Sequence, residues 1–456
     1  MKFQTFLLAA CAVALHGSQV MASVSAEEAR QLGSTLTPFG AEKGANADGS
    51  IPAYSDAKLA IPRAYRAGSG QYVDPFPEEK PLFSIDAKNM AQYGDAVPEG
   101  VKGLMIRFPS FRADIYKTHR TQRYSTWELQ QIAKNATRSK MVGEGDGVEG
   151  NYGPVPFPLP KNGYEVLWNH FLRPQTPSQT WRAWSYLVDA SGAPVLIGDL
   201  SLQSINLYAD EKEETIVGPY KQKSLIRYNG PASQVGRQTM IIYSKDYSKA
   251  SQLYYSYSTG QRRVRVAPEF AYDTPAPTYG GAIVYDEISM YEGRPDRFDF
   301  KLVGKKEVFV PYNTNKLHNT ALKVSDVFGK DHVNPDYLRW EKHRVWVLEA
   351  TLKAGKRHIY SKRRFYVDED SWTIVVSEAY DQSGKLYRVG LNSLFLTYDQ
   401  ASSTWSNPFI VYDLIKNNYV MSNWLGGDSR AFLRSENKMM DQSGFTPEAM
   451  QAAGVR

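Results

Sequence analysis

From about residue 179 to residue 415, apolar and polar residues alternate in short runs, with the period of two expected of a half-buried strand. The pattern predicts strands at about 179–188, 194–206, 237–245, 251–258, 261–267, 297–303, 344–353, 357–367, 372–381, 385–398 and 408–415. Turn residues punctuate them, as in Asp189-Ala190-Ser191-Gly192 and Asp381-Gln382-Ser383-Gly384. The four runs between 344 and 398 are joined by links of about three to six residues. Links that short permit antiparallel neighbours and exclude a parallel crossover. In the 344–353 run Trp346, Leu348, Ala350 and Leu352 share one face, and Val345, Val347, Glu349 and Thr351 share the other.

A helical period appears in fewer places. Ser25 and Glu28 form a capping box for a short helix, and Ser125 with Glu128 form another, followed by Leu129, Ile132, Ala133 and Ala136 on one face. Asn162 caps a third helix, in which Tyr164, Leu167, Trp168 and Phe171 fall at i, i+3, i+4 and i+7 before Arg173-Pro174 ends it. The stretch from Thr35 to about Gly103 is rich in Pro and Gly and has little periodicity, so it is expected to lie extended over a larger body. Thr446 to Gln451 reads as a last short helix beside an exposed terminus.

These patterns divide the chain into a signal segment at 1–22, an irregular arm with short helices at 23–120, a sheet domain with inserted helices at 121–427 and a C-terminal tail at 428–456. The expected fold is mainly β (α+β). It is a large curved antiparallel sheet, a half-barrel, with one or two helices on the concave face, the Trp168 helix first among them. An open curved sheet leaves a cavity unless helices fill it. Trp346, Leu348, Leu352, Ile374 and Val376 are candidates to line such a cavity, with Trp168 and Phe171 as its plug. Each is equally well read as ordinary packed core.

The N-terminus adds a compartment. Lys2, the apolar run Phe6 to Leu15 and the small residues before Ala22 make a secretory signal peptide, with the cut expected after Ala22. The apolar run falls short of the roughly 20 residues that span a bilayer, so the mature chain is expected to be soluble in the periplasm, possible outer-membrane association included. A second reading of the same segment is a lipobox, Leu8-Ala9-Ala10-Cys11, in which Cys11 receives lipid. If the cut follows Ala22, the single cysteine is discarded and no disulfide, thiolate nucleophile or cysteine-held metal remains. The aromatic content, with 30 Tyr, 19 Phe and 9 Trp, favours strands. The net charge of +6 comes from basic residues interleaved with acids, which argues against nucleic acid as a partner.

Catalytic patterns are weak. His119, His170, His318, His332, His343 and His358 include no pair at the spacing of a helical zinc site. His343 and His358 with Glu341, Asp368, Glu369 and Asp370 form a possible mixed site, for which polar hairpin ends are the simpler account. Asn46-Ala47-Asp48-Gly49 resembles part of a calcium loop, but Gly44 and Ser55 stand where acids are needed, so a turn is expected. Glu349 and Glu378 are a carboxylate pair on neighbouring strands, with Arg363 and Arg364 available to make them ion pairs. No nucleophile elbow, phosphate loop or dinucleotide fingerprint occurs, so no catalytic residue, metal or cofactor is expected and the chain is read as a non-enzyme.

Six segments carry a family resemblance. They are Leu32 to Glu42, Asn46 to Pro52, Pro156 to His170, Asp296-Arg297-Phe298 with Pro311-Tyr312-Asn313, His343 to Val347, and Tyr366 to Trp372. Together they resemble the exported bacterial family of domain of unknown function 1329. That resemblance implies a fold like the lipoprotein carriers of the LolA/LolB type, lipoprotein-sorting-like half-barrels that shield acyl chains between two membranes. It also implies a setting beside an outer-membrane β-protein and an RND-type inner-membrane transporter, and it supplies no catalytic or binding residues. The resulting expectation is a periplasmic binding or carrier protein for a lipid or other hydrophobic compound. A non-transporting structural or assembly subunit of an envelope complex and an unrecognised hydrolase stand as alternatives.

Overall fold

One sheet of sixteen strands organises the computed structural model, which describes residues 24–266 and 272–454. The signal segment, Cys11 and the cut after Ala22 lie outside the described residues. The strands are β1 Phe83–Ile85, β2 Ala113–Ile115, β3 Ser178–Val188, β4 Pro194–Asn206, β5 Tyr220–Gly230, β6 Gln238–Ser244, β7 Leu253–Ser258 and β8 Arg263–Val266. They continue with β9 Phe298–Pro311, β10 Arg339–Leu352, β11 Lys362–Asp368, β12 Ile374–Tyr380, β13 Leu386–Asn392, β14 Phe409–Asp413, β15 Asn418–Trp424 and β16 Phe432–Glu436. Their spatial order is β1-β2-β10-β11-β12-β13-β14-β15-β3-β4-β5-β6-β7-β8, with β9 along the other flank of β10 and β16 beside the start of β3. Every pairing is antiparallel except β2 with β10. The path has two ends, so the sheet is open and not closed into a barrel.

Two meanders build it. The strands β3 to β8 run in sequence order, as do β9 to β15, and the halves join where β15 meets β3, Met421 facing Tyr186 and Trp424 facing Trp184. Among the described residues six α-helices accompany the sheet: α1 Ala26–Ala29, α2 Glu99–Arg107, α3 Thr126–Arg138, α4 Gly163–Phe171, α5 Val324–Val327 and α6 Pro447–Gly454. Both capping boxes form, Ser25 with Glu28 and Ser125 with Glu128, and the Asn162 side chain accepts from the Glu165 amide.

Alternation on β10 divides the apolar interior. Val345 and Val347 join a core that includes Val101 and Leu104 of α2, whereas Leu348 and Ala350 join a second core with Val166, Leu167 and Trp168 of α4. Helical cover therefore lies on both faces of this half of the sheet, α4 as expected and α2 opposite it. The arm runs over both faces too, with Phe39 and Ala41 in the α4 core and Ile85 and Val97 in the α2 core. Gly40 shows how close it comes: a Cβ there would sit 1.9 Å from the Pro158 carbonyl oxygen, and its φ is +93°.

The segment expected as a tail is structural. Its β16 pairs with β3, and Met450 of α6 is buried with Phe445 against Ile205, Leu225, Met240 and Tyr257 on the back of the β4–β7 region. The face expected on α3 also differs. Ala133 is exposed, and Glu128, Gln131 and Asn135 are buried with Ile132 and Ala136, because the neighbouring loops offer hydrogen-bond partners to those polar groups.

Candidate functional site

The front face of the β3–β7 meander is not filled. Trp181, Leu200, Leu202, Ser224, Ile226, Tyr228, Ile241, Tyr243 and Tyr254 line a crevice there, and Thr278, Tyr279, Tyr285, Ile288 and Ser289 roof it. The cavity volume is about 80 Å³, room for roughly half a dozen waters. That suits one slender group. Register explains the shared face, since Leu202 lies opposite Ile226 and Ser224 lies opposite both Ser204 and Ile241.

The roof, residues 272–292, is pinned to the other half of the sheet by buried charges. Asp286 meets His358 Nε2 at 3.0 Å and Arg363 Nη1 at 3.0 Å, while Glu287 accepts from Arg388 at 2.5 Å and from the Tyr360 hydroxyl at 2.5 Å. Against the upward push of burial, Arg363 and then His358 hold the Asp286 carboxyl below its ordinary range. Ser289 and Met290 take left-handed φ values of 54° and 74°, a turn that drives the Met290 side chain into the core.

Three charged groups sit at the inner end. Arg173 and Glu292 line the crevice, and Lys221 lies behind with its Nζ 3.1 Å from Glu292. The pairing skips Lys221 between Tyr220 and Gln222, and this bulge turns the residue inward, where Nζ also donates to the Phe171 carbonyl at 3.1 Å. Arg173 donates to Ser406 Oγ at 2.7 Å and to the His170 carbonyl at 3.0 Å, and has no carboxylate within ion-pair distance among the described residues. Burial holds both cations below their ordinary pKa, and burial followed by the charges of Arg173 and Lys221 keeps His170 neutral.

The seven residues expected to line or plug a cavity lie elsewhere. Trp168, Phe171, Leu348 and Ile374 are brought together in the α4 core, with Trp346 and Leu352 half-buried against it. Trp168 donates its indole N–H to the Gly145 carbonyl at 2.9 Å. Val376 is separated from them. A bulge at Val375 puts it in the opposite core, which breaks the period of two that placed it beside Ile374. None of the seven lines the crevice.

The mixed histidine and carboxylate cluster does assemble, without His358, which bonds Asp286 instead. Ligand atoms of His343, Asp368 and Asp370 lie within 4.8 Å of one another, close enough to take a cation. Their charges are already met. Arg120 donates to both oxygens of Asp370 at 2.6 and 2.8 Å, and Asp368 Oδ2 accepts from the Ser371 amide, the Ser371 hydroxyl and Tyr312. Glu369, flanked by Lys305 at 2.8 Å, is pushed by burial up to about 7. Burial raises Glu341 while bonds from His343 and Arg339 bring it down to about 2. The arrangement ties the arm residue Arg120 to the sheet as a structural ion network. Glu349 on β10 and Glu378 on β12 are not on neighbouring strands, because β11 lies between them with Arg364 opposite both. Glu349 pairs with Arg364 at 2.9 Å, and Glu378 accepts from the Gly100 amide at 2.7 Å, so neither carboxylate stands free. The Asn46–Asp48 segment is a turn, with Asn46 Oδ1 accepting from the Ile51 amide and Asp48 paired to Lys342.

An open, two-meander sheet crossed on both faces by an N-terminal arm, with a roofed crevice on one half, defines a class of large mainly β proteins. Within that class the family is clear: residues 84–451 match the model described as protein of unknown function (DUF1329), and the chain belongs to this family. An uncharacterized protein of Pseudomonas aeruginosa is 37% identical over 450 residues, which cover 98% of this chain and 97% of that one. Among solved structures, a domain named for outer membrane lipoprotein sorting from Vibrio parahaemolyticus matches with a TM-score of 0.41 at 12% identity, covering 63% of this chain and 98% of its own. A DUF1329 family protein from Desulfovibrio piger gives 0.40 at 14% identity, over 63% and 97%. A LolA superfamily protein from Nitrosomonas europaea gives 0.35 at 11% identity, over 63% and 98%.

Proposed function

We propose that this protein is a periplasmic binding or carrier protein for a lipid or other hydrophobic compound, working without catalysis in envelope transport beside an outer-membrane protein and an RND-type transporter. The crevice carries the reading. Its walls carry aliphatic and tyrosyl side chains beside Gln222, Ser224, Asn407 and Asn423, and its roof is a separate segment held by ion pairs. Covering a methylene is worth roughly 0.8 kcal/mol, so a wall of this kind holds a slender apolar chain without any reaction. Among the described residues no helix is long and apolar enough to cross a membrane. The ligand-facing role thus moves from the Trp168 and Trp346 region to Leu200, Leu202, Ile226, Tyr228 and Tyr254.

Native mass spectrometry of protein from the periplasmic fraction tests this. Bound apolar mass is expected, and Ser224→Phe, which fills the crevice from its floor, is expected to remove it while leaving the fold intact. A wild-type protein that carries no added mass and takes up none from laurate, lauryl alcohol or lipid micelles would overturn the proposal.

A further inference from the structure

Among the residues lining the crevice only Arg173 and Glu292 are charged, and Glu292 is answered by Lys221. Arg173 is not answered. It is 4% exposed, and among the described residues its side chain donates one hydrogen bond to a hydroxyl and one to a carbonyl, out of five N–H groups. The inner end of the crevice thus holds two cations and one anion. Burying a charge without a partner is costly, and a protein keeps such a group where something else supplies the partner. Asn407 and Asn423 stand in the same lining and offer further polar contact, while the Asn423 side chain also bonds Trp181 and the Asn407 carbonyl.

We infer that the crevice takes a single-chain amphiphile with one anionic head, a fatty-acid carboxylate, its head at Arg173 and its chain along Leu200, Leu202, Ile226, Tyr228 and Tyr254. The inference rests on the binding function proposed above and specifies its ligand. The forked guanidinium matches a carboxylate in two-point geometry, and both are desolvated together when the chain covers them. The free volume of about 80 Å³, about half that of a cavity that takes a benzene ring, holds the head and only the first few methylenes of one chain, and it excludes a diacyl lipid in this arrangement of the roof.

The test compares laurate with lauryl alcohol on the unmodified protein by isothermal titration, so that it does not depend on any variant folding. Laurate is expected to bind about ten-fold or more tightly than the alcohol, the margin of a charge-assisted hydrogen bond in a dry site. In Arg173→Gln the two ligands are expected to bind alike. In Glu292→Gln, which removes the competing anion, laurate is expected to bind more tightly than in the wild type. Equal affinity of the wild type for both ligands overturns the carboxylate inference and leaves the carrier reading standing. Failure of both ligands to bind, together with no uptake from lipid micelles and no added mass on the isolated protein, overturns the carrier reading itself. Preference for phospholipid vesicles over laurate would place the anionic recognition on a headgroup and would also overturn the inference.

Discussion

The two meanders of the sheet are built from similar strands, but they are used differently. From β9 to β15 most of both faces is buried, the first half of β9 with its exposed Asp299, Lys301 and Val303 excepted, and charged residues inside are matched, Arg120 with Asp370, Arg363 with Asp286 and Arg388 with Glu287. From β3 to β8 the back is sealed by α6, the front is left as a crevice, and one cation is unmatched. A large sheet can thus be packed densely in one half and left open at one face in the other. The half without close packing at its front face is the one where a ligand can replace the missing contacts.

Truncating core side chains probes that contrast most strongly. Trp372 is fully buried and donates its indole N–H to the Phe39 carbonyl at 3.1 Å, so Trp372→Ala is expected to cost about 3–5 kcal/mol in urea unfolding. Ile226→Ala, at the half-buried crevice wall, is expected to cost less than about half of that. Equal costs would erase the distinction between the halves.

Asp286→Asn comes next. It leaves Arg363 buried without its carboxylate, and a loss of about 2–3 kcal/mol is expected, with faster amide hydrogen exchange over 272–292. Unchanged exchange there would mean that the roof is held by its apolar contacts and not by its ion pairs.

The smallest effect is a pH dependence confined to the packed half. Burial raises the Glu128 carboxyl from its ordinary 4.5 to about 7. The folded state therefore takes up a proton that the unfolded state does not, and stability grows as the pH falls from about 7 to 4.5 and is lost as it rises again. Glu369 contributes in the same direction. Glu128→Gln is expected to remove about 1–2 kcal/mol of this gain between pH 8 and pH 5, measured as the shift in denaturation midpoint. A variant with the wild-type slope would assign the dependence elsewhere.

The sequence disclosed the packed half better than the open one. Eleven of the twelve strands from β3 to β14, all but β5, follow from the runs of Val, Ile, Leu and aromatics, and the capped helices follow from Ser25, Ser125 and Asn162. The strand β5 was not legible, because Lys221, Gln222, Lys223 and Arg227 give it a polar surface, and the bulge that buries Lys221 has no local signature. The strands β15 and β16 were hidden by their polar ends, Ser422-Asn423 and Ser435-Glu436. Those omissions concealed the crevice, since its floor includes β5. Arg173 was visible only as the residue before a helix-ending proline. The period of two also misplaced Val376, because a single extra residue reverses every side chain after it.

The joint between the meanders has a consequence for how the protein comes into being. Each meander can zip from neighbour to neighbour as the chain emerges, but the Asn423 amide bonds Ser185 Oγ across 238 positions of sequence. A contact of that span is slow to find, because a long loop must close before anything rewards it. Asn407 and Asn423 of the crevice wall come from the late meander, the strand-borne walls come from the early one, and the roof comes from the segment between them. The crevice thus cannot be complete until the chain as far as Asn423 has been made.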